Sequence, residues 1–288
     1  MNRTNKKIAL VGGDMRQISA ACELEKYRYS VSMYGFDTYG DTNSVTLDAA
    51  LEGAEVLLLP IPVFRGDCLN MPFSHEKIDE DQLVSKLGEG IKWVFGGLIP
   101  KSFSEKLNGK GIKTFDFCEN ESFNMKNAIP TAEGAVAIAM GNMKITVSGC
   151  HAAILGFGRI GKALCRSLYG LGAEVTNVAR NERDISLSEA LGFFTCDYSQ
   201  LSKIASEQDV IFNTVPATVV TEETLENMKK DAFIVDLASR PGGVDVQAAA
   251  RCGVRVISAL SLPGKVAPVT AGRIIAECLI RTLSEVEL

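Results

Sequence analysis

The 288-residue sequence predicts an α/β protein of two doubly wound parallel-sheet domains, with a cleft between them and helices joining them. Three observations carry that expectation. Short apolar runs alternate with amphipathic stretches from end to end, which is the pattern of strands crossing over through helices. The pattern occurs twice, on either side of a small-residue segment at 129–145. The last twenty residues form one more amphipathic run, suited to covering a domain already built. The expected boundaries are 1–128 for the N-terminal domain, 129–145 for a connecting helix, 146–266 for the second domain and 267–288 for a helix returning to the first.

Taken in order, the strands expected in the first domain are "KIALVGG" (7–13), "YSVSMYGF" (29–36), "AEVLLLPIPV" (54–63), "IKWVFGGLI" (91–99) and "IKTFDF" (112–117). The helices between them include "MRQISAACELEKY" (15–27), "EDQLVSKLG" (80–88) and "SFSEKLNGKG" (102–111), the last closed by a glycine stop. In "IPTAEGAVAIAMGNMKI" (129–145), Pro130 precedes Thr131 as a helix N-cap, and Glu133 suits the positive end of the helix dipole. Gly134, Ala135, Ala137 and Ala139 would let that helix approach its neighbours closely. The second domain repeats the scheme with "HAAILGFG" (151–158), "AEVTNVAR" (173–180), "FFTCD" (193–197), "DVIFNTVP" (209–216), "AFIVDLAS" (232–239) and "VRVISAL" (254–260).

Composition narrows the class of function. An apolar share of 46% and a charged share of 23% belong to a packed globular chain. A net charge of −5 argues against a nucleic-acid or anionic-membrane surface, yet leaves room for a small basic pocket. No apolar stretch approaches the ~20 residues of a membrane helix, and the polar start "MNRTNKK" does not read as a signal peptide. The eight cysteines are scattered without a C-x-x-C pair, so reduced thiols in a cytoplasm are expected, with no metal site.

"AILGFGRIGKAL" holds the first chemical motif. Gly156, Gly158 and Gly161 stand in G-x-G-x-x-G spacing, after an apolar strand and at the start of a helix, the context of a Rossmann-like dinucleotide site. The first glycine permits the turn, the second lets backbone amides reach a pyrophosphate, and the third lets helix pack on strand. The expected cofactor contacts are Gly156, Gly158, Arg159, Ile160 and Gly161, with Thr214, Val215 and Pro216 at the end of a later strand. The strand after the loop ends in Arg180 and Asn181, where NAD sites usually carry an acid for the ribose 2′-hydroxyl. An arginine there suits a 2′-phosphate, so NADP is the expected cofactor.

The first domain also opens with a strand and a glycine turn, "ALVGGDMRQ". Laid on the fingerprint from Gly12, it places Asp14 and Gln17 where glycines would stand, and Asp14 would repel a pyrophosphate. This domain is therefore assigned to substrate or partner, with Arg16 as an anion-binding candidate and an ordinary surface residue in a first helical turn as the alternative.

"VDLASRPGGVD" is the second motif. It looks like the N-x-x-R-G-x-x-V-D segment of D-2-hydroxyacid dehydrogenases, in which the arginine grips a substrate carboxylate. Arg240 offers a planar fork for such a contact and Ser239 a hydroxyl, the alternative being a structural arginine paired with Asp236 or Asp245. Those dehydrogenases use a later histidine to move a proton. The matching region here, "SLPGKVAPVTAG", has none, and the two histidines, His75 and His151, lie elsewhere.

"GGDMRQ", "PTAEG", "GFGRIG", "DLASRPGG" and "LPGKVAP-TAG", in this order along nearly the whole chain, resemble the family of dipicolinate synthase A subunits. The resemblance implies oxidation of dihydrodipicolinate to pyridine-2,6-dicarboxylate together with a B subunit, in the mother cell of a sporulating bacterium. A ring bearing two carboxylates calls for cations, and Arg240, Lys265 and Arg16 are available, with Thr131 and Ser239 as polar contacts. Oxidation creates an aromatic ring, which helps expel the proton and relaxes the need for a dedicated base. If one acts, Lys265 or Glu133 is the candidate. Two alternatives remain at this point: a D-2-hydroxyacid-type dehydrogenase, and a non-catalytic NADP-binding regulatory protein.

Overall fold

A computed structural model describes residues 6–40, 44–239 and 241–286. The chain divides into two compact units, one of Met1–Asn127 with Ala267–Leu288 and the other of Ala128–Val266.

In chain order the first unit contains β1 (Lys7–Val11), α1 (Met15–Lys26), β2 (Ser30–Tyr34), α2 (Leu47–Leu51), β3 (Val56–Leu58), β4 (Phe64–Arg65), β5 (Cys68–Leu69), α3 (Glu80–Lys86), β6 (Trp93–Gly96), α4 (Lys101–Gly109) and β7 (Lys113–Asp116). Five of these strands form a parallel sheet in the order β2-β1-β3-β6-β7. Its central strands are apolar throughout because both faces are covered: Ile8, Ala9, Leu10, Leu57, Leu58, Val94 and Phe95 have no exposed surface. "AEVLLLPIPV" makes a strand only as far as Leu58. Pro60 and Pro62 carry no N–H for a ladder, and the chain leaves the sheet for the β4–β5 hairpin, which no alternation in the sequence announces.

Helix α5 (Glu121–Asn142) crosses the division between the units. The expected N-cap at Thr131 is corrected here. Asn120 starts the helix, its side-chain oxygen accepting from Phe123 N at 2.8 Å, and Pro130 lies inside it. A proline in that position deprives the carbonyl of Lys126 of its helical partner and crowds that carbonyl with its ring, yet the helix continues through it to Asn142.

The second unit continues with β8 (His151–Leu155), α6 (Arg159–Gly170), β9 (Glu174–Val178), α7 (Glu182–Ala190), β10 (Phe194–Cys196), α8 (Leu201–Ala205), β11 (Val210–Asn213), α9 (Glu222–Glu226), β12 (Phe233–Asp236), α10 (Val246–Cys252), β13 (Arg255–Ser258) and α11 (Leu262–Val266). All six strands are parallel, in the order β10-β9-β8-β11-β12-β13. The order reverses beside β8, so the C-terminal ends of β8 and β11 flank the crevice where such sheets take ligands. The α5 portion of this unit packs its small residues inward, and a Cβ on Gly134 would come within 3.0 Å of both Leu262 and Val266 of α11.

The last helix, α12 (Pro268–Val286), packs against α1 in the first unit. Gly272 makes that approach possible, because a Cβ there would stand 2.5 Å from the carbonyl of Arg16 and 2.5 Å from Ser19 Cβ. No helix among the described residues is long and apolar enough to cross a membrane.

Candidate functional site

The glycine loop between β8 and α6 assigns each of its glycines a different task. Gly156 has φ +93°, a region other residues avoid, and a Cβ there would meet Thr214 Oγ1 at 2.7 Å. A Cβ on Gly161 would fall 2.1 Å from the carbonyl oxygen of Gly156, so only glycine lets α6 start this close to the loop. Gly158 differs from both. Its φ of −76° suits any residue, and a Cβ there would meet nothing within 4 Å. Internal packing gives no reason for glycine at 158, whereas a pyrophosphate lying on the loop does.

Further features suit an anion at this place. Gly158 is the N-cap of a twelve-residue helix and supplies no side-chain cap, leaving the first-turn amides of α6 without that partner. From beneath, the wholly buried Asn177 of β9 donates through Nδ2 to the carbonyls of Ile154 and Gly156 at 3.1 and 3.3 Å, fixing the loop. Thr214 Oγ1 donates to the Leu155 carbonyl at 2.8 Å, which holds the end of β11 against the end of β8. Loop and Thr214–Pro216 segment therefore share one edge of the sheet. The residues present fit a dinucleotide.

Beyond β9, Arg180 is exposed and forms no ion pair among the described residues. It lies near Tyr198, whose phenol burial pushes up to about 12 against the opposing pull of the Arg180 charge. Asn181 is committed differently. Its Oδ1 accepts from Asp184 N at 2.8 Å and its Nδ2 donates to Asp184 Oδ2 at 2.9 Å, so it caps α7 and holds the Asp184 carboxylate.

At the end of β12, Ala238 is buried and Ser239 is exposed. The N–H of Gly242 donates to the Ser239 carbonyl at 2.9 Å, closing a tight turn. Arg240 lies outside the described residues. The two acids weighed as its partners have neighbours of their own: Asp236 accepts from Asn213, Ala238 and Gly243, and Asp245 caps α10 through Ala248 N at 2.9 Å. Lys265 stands exposed in the last turn of α11, and Thr131 is half-buried on α5. Glu133 lines a groove of about 810 Å³ with Lys162 and Arg166 of α6, and neither Ser239 nor Lys265 lines that groove.

The glycine turn of the first unit is already filled. Gly13 N donates to the Asn70 carbonyl at 2.9 Å, and a Cβ on Gly12 would strike Met71 at 2.6 Å. Asp14 and Gln17 close a capping box over the first turn of α1. Arg16, the anion-binding candidate of this turn, has protein partners of its own. Its side chain is 6% exposed, and it donates from Nε and Nη2 to the two oxygens of Asp14 at 2.9 and 2.8 Å and from Nη2 to the Ile61 carbonyl at 2.6 Å. The charge is neutralised where it stands.

Sequence reasoning misses Asn177 and Asn213 and weighs Asp236 only as an ion-pair partner of Arg240; all three are buried and polar within strands. For Asn213 and Asp236 a signal is available: each closes a run that is otherwise apolar. No group of three or more side chains suited to a metal ion occurs among the described residues.

Comparison with known proteins agrees with this geometry. Residues 7–118 match the N-terminal domain of the dipicolinate synthase A subunit, and residues 130–252 match the NAD binding domain of D-isomer specific 2-hydroxyacid dehydrogenases. The second unit is thus a nicotinamide-dinucleotide domain of the dehydrogenase type. The chain is 30% identical over 295 residues to the dipicolinate synthase A subunit of Bacillus subtilis, covering 99% of this chain and 98% of that one. The crystal structure of the dipicolinate synthase A subunit from Bacillus halodurans superposes with a TM-score of 0.86 at 30% identity, over 97% of this chain and 98% of that chain. The crystal structure of its Bacillus subtilis counterpart gives 0.86 at 29% identity, over 99% and 97%.

Proposed function

Since the chain belongs to the family of dipicolinate synthase A subunits, we propose that it oxidises dihydrodipicolinate to pyridine-2,6-dicarboxylate with NADP, acting together with a B subunit. The observation that carries this reading is Gly158, where a Cβ would meet no protein atom within 4 Å and where a bound pyrophosphate would need the space. When bound, the dinucleotide supplies a two-electron acceptor for hydride.

The residues of this chain account for the rest. The α6 N-terminus with Gly158, Arg159 and Gly161 holds the pyrophosphate, and Thr214–Pro216 flanks it at the neighbouring strand end. Arg180 takes the 2′-phosphate, the Asp184 carboxylate being bound to Asn181. Arg240 and Ser239 receive one substrate carboxylate, and Lys265 is the cation offered to the other. Loss of hydride and of one proton leaves an aromatic pyridine, so the reaction proceeds without the histidine that alcohol oxidation requires.

The test mixes purified chain, with and without its B subunit, with freshly generated dihydrodipicolinate and NADP. NADPH and pyridine-2,6-dicarboxylate should appear in equal amounts. Absence of NADPH in both mixtures would overturn the assignment.

A further inference from the structure

We propose that Asn213 and Asp236 are positioning residues, a buried pair that fixes the loop bearing Ser239 and Arg240 to the Thr214–Pro216 segment beside the dinucleotide. The inference rests on the functional reading of those two segments given above, and goes beyond it by assigning a task to two residues that touch neither ligand.

The pair sits at one level of the sheet. Asn213 and Asp236 are register partners at the last positions of β11 and β12, each closing a strand that is otherwise apolar. Asn213 is wholly buried and Asp236 is 9% exposed. Two polar side chains cost free energy at such a place unless their groups find partners. They are partnered throughout. Asn213 Nδ2 donates to Asp236 Oδ1 at 2.7 Å and to the Val215 carbonyl at 3.1 Å, and its Oδ1 accepts from Val215 N at 3.1 Å. Asp236 Oδ1 also accepts from Ala238 N at 3.2 Å, and Oδ2 accepts from Gly243 N at 3.4 Å.

The bonds therefore run to three points of the backbone. One is Val215, in the segment expected at the dinucleotide. The other two are Ala238 and Gly243, which bracket Ser239, Arg240 and Pro241. The loop is pinned at its base on both sides, and the pin is anchored in the neighbouring loop.

The double glycine explains how the chain comes back so close. Gly242 has φ +92°, and a Cβ there would lie 3.0 Å from Asp236 Oδ2. A Cβ on Gly243 would lie 2.2 Å from Asn213 Nδ2 and 2.4 Å from the Val215 carbonyl. Gly242 and Gly243 thus bring the chain back onto Asn213 and Asp236. Ser239 follows directly on the pinned Ala238, and errors of about 1 Å in placing a reacting group cost on the order of a hundredfold in rate.

Two variants test the proposal. Asn213→Ser removes the link to Asp236. Asp236→Asn, nearly isosteric, keeps one acceptor and sets an amide donor against Gly243 N, which guards against reading misfolding as loss of position. On folded protein, both should speed amide hydrogen exchange in 237–243 by about tenfold or more while leaving 151–161 unchanged. NADP affinity should stay within about threefold, whereas kcat/KM for dihydrodipicolinate should fall roughly 10- to 100-fold with KM raised. The double variant should lose no more than about threefold beyond the worse single one, because both break one device. The exchange measurement needs no substrate. Unchanged exchange in both variants overturns the proposal whatever the wild type turns over, and faster exchange with unchanged kcat/KM per folded molecule overturns it as well. A wild type without turnover, by contrast, counts against the proposed reaction.

Discussion

Arg16 lies against Asp14 through two parallel N–H···O bonds of 2.9 and 2.8 Å, at the turn where the first unit's sheet would otherwise offer a phosphate site. The pair makes that turn self-sufficient. Arg16→Met should leave a partly buried carboxylate without its cation and cost about 3 kcal/mol, the low end for a broken buried pair because Asp14 retains 22% exposure. Melting temperature should fall, while kcat/KM per folded molecule holds. A stable Arg16→Met protein with a raised KM would return Arg16 to the substrate.

The same pair fixes the sign of an acid effect. Burial pushes the Asp14 carboxyl up, but the hydrogen bonds and charge of Arg16, with Arg65 behind it, hold it below its ordinary value. A carboxyl depressed on folding stabilises above its unfolded value, about 3.9, and loses that contribution as pH falls through the folded value. The stability gap between wild type and Asp14→Asn should be widest near neutrality and narrow as pH falls below the unfolded value toward the lower folded one. Urea melts across that range measure it, and a gap that widens on acidification would contradict the pairing.

Gly158 and Gly161 should fail in opposite ways. Gly161→Ala forces a Cβ against the Gly156 carbonyl, 2.1 Å away, so stability should drop by about 1–3 kcal/mol. Gly158→Val meets no protein atom within 4 Å of its Cβ, so the melting temperature should stay near wild type while dinucleotide binding disappears. Calorimetric titration and thermal melts on the two variants check both statements. Retained binding in Gly158→Val would make the loop purely structural.

Arg180 should decide between the two dinucleotides. Losing a charge-assisted contact typically costs ~1.5–3 kcal/mol, so Arg180→Ala should weaken NADP by roughly ten- to a hundredfold or slightly more and leave NAD nearly unchanged. Equal wild-type affinities, unmoved by the substitution, would remove the preference.

The central strands of the two parallel sheets are announced by apolar runs, because a strand covered on both faces must be apolar on both, whereas the edge strands β2, β7 and β13 are mixed and partly exposed. The glycine loop is legible for a similar reason: backbone geometry there tolerates few residues. What stays hidden depends on partners distant in sequence. Nothing near Arg16 says that its guanidinium reaches the carbonyl of Ile61, and "NTVP" alone does not reveal that Asn213 meets Asp236. The start of α5 is misplaced because Pro130 reads as a helix beginning, and Asn120, its actual cap, lies ten residues earlier without an apolar period to mark it.

Arg240 carries the last prediction, on the expectation that it holds a substrate carboxylate near the nicotinamide. Arg240→Lys keeps the charge but loses the planar fork, so it should not rescue Arg240→Ala. NADP affinity should change little in either variant, since the glycine loop and Arg180 hold the dinucleotide. Turnover at low substrate should fall in both, by an amount set by how far the contact strengthens in the transition state. A structural ion pair with Asp236 or Asp245 predicts another pattern, in which Arg240→Ala melts earlier and residual activity follows the folded fraction. The Asn213→Ser variant sharpens the comparison. If that pair acts by holding the loop, the double variant should be little worse than Arg240→Ala alone, because without the arginine a held loop has no guanidinium to place. Melting temperature, NADP affinity and kcat/KM on the same samples separate the two accounts. A stable, NADP-competent Arg240→Ala protein with unchanged kcat/KM would take Arg240 out of the active site.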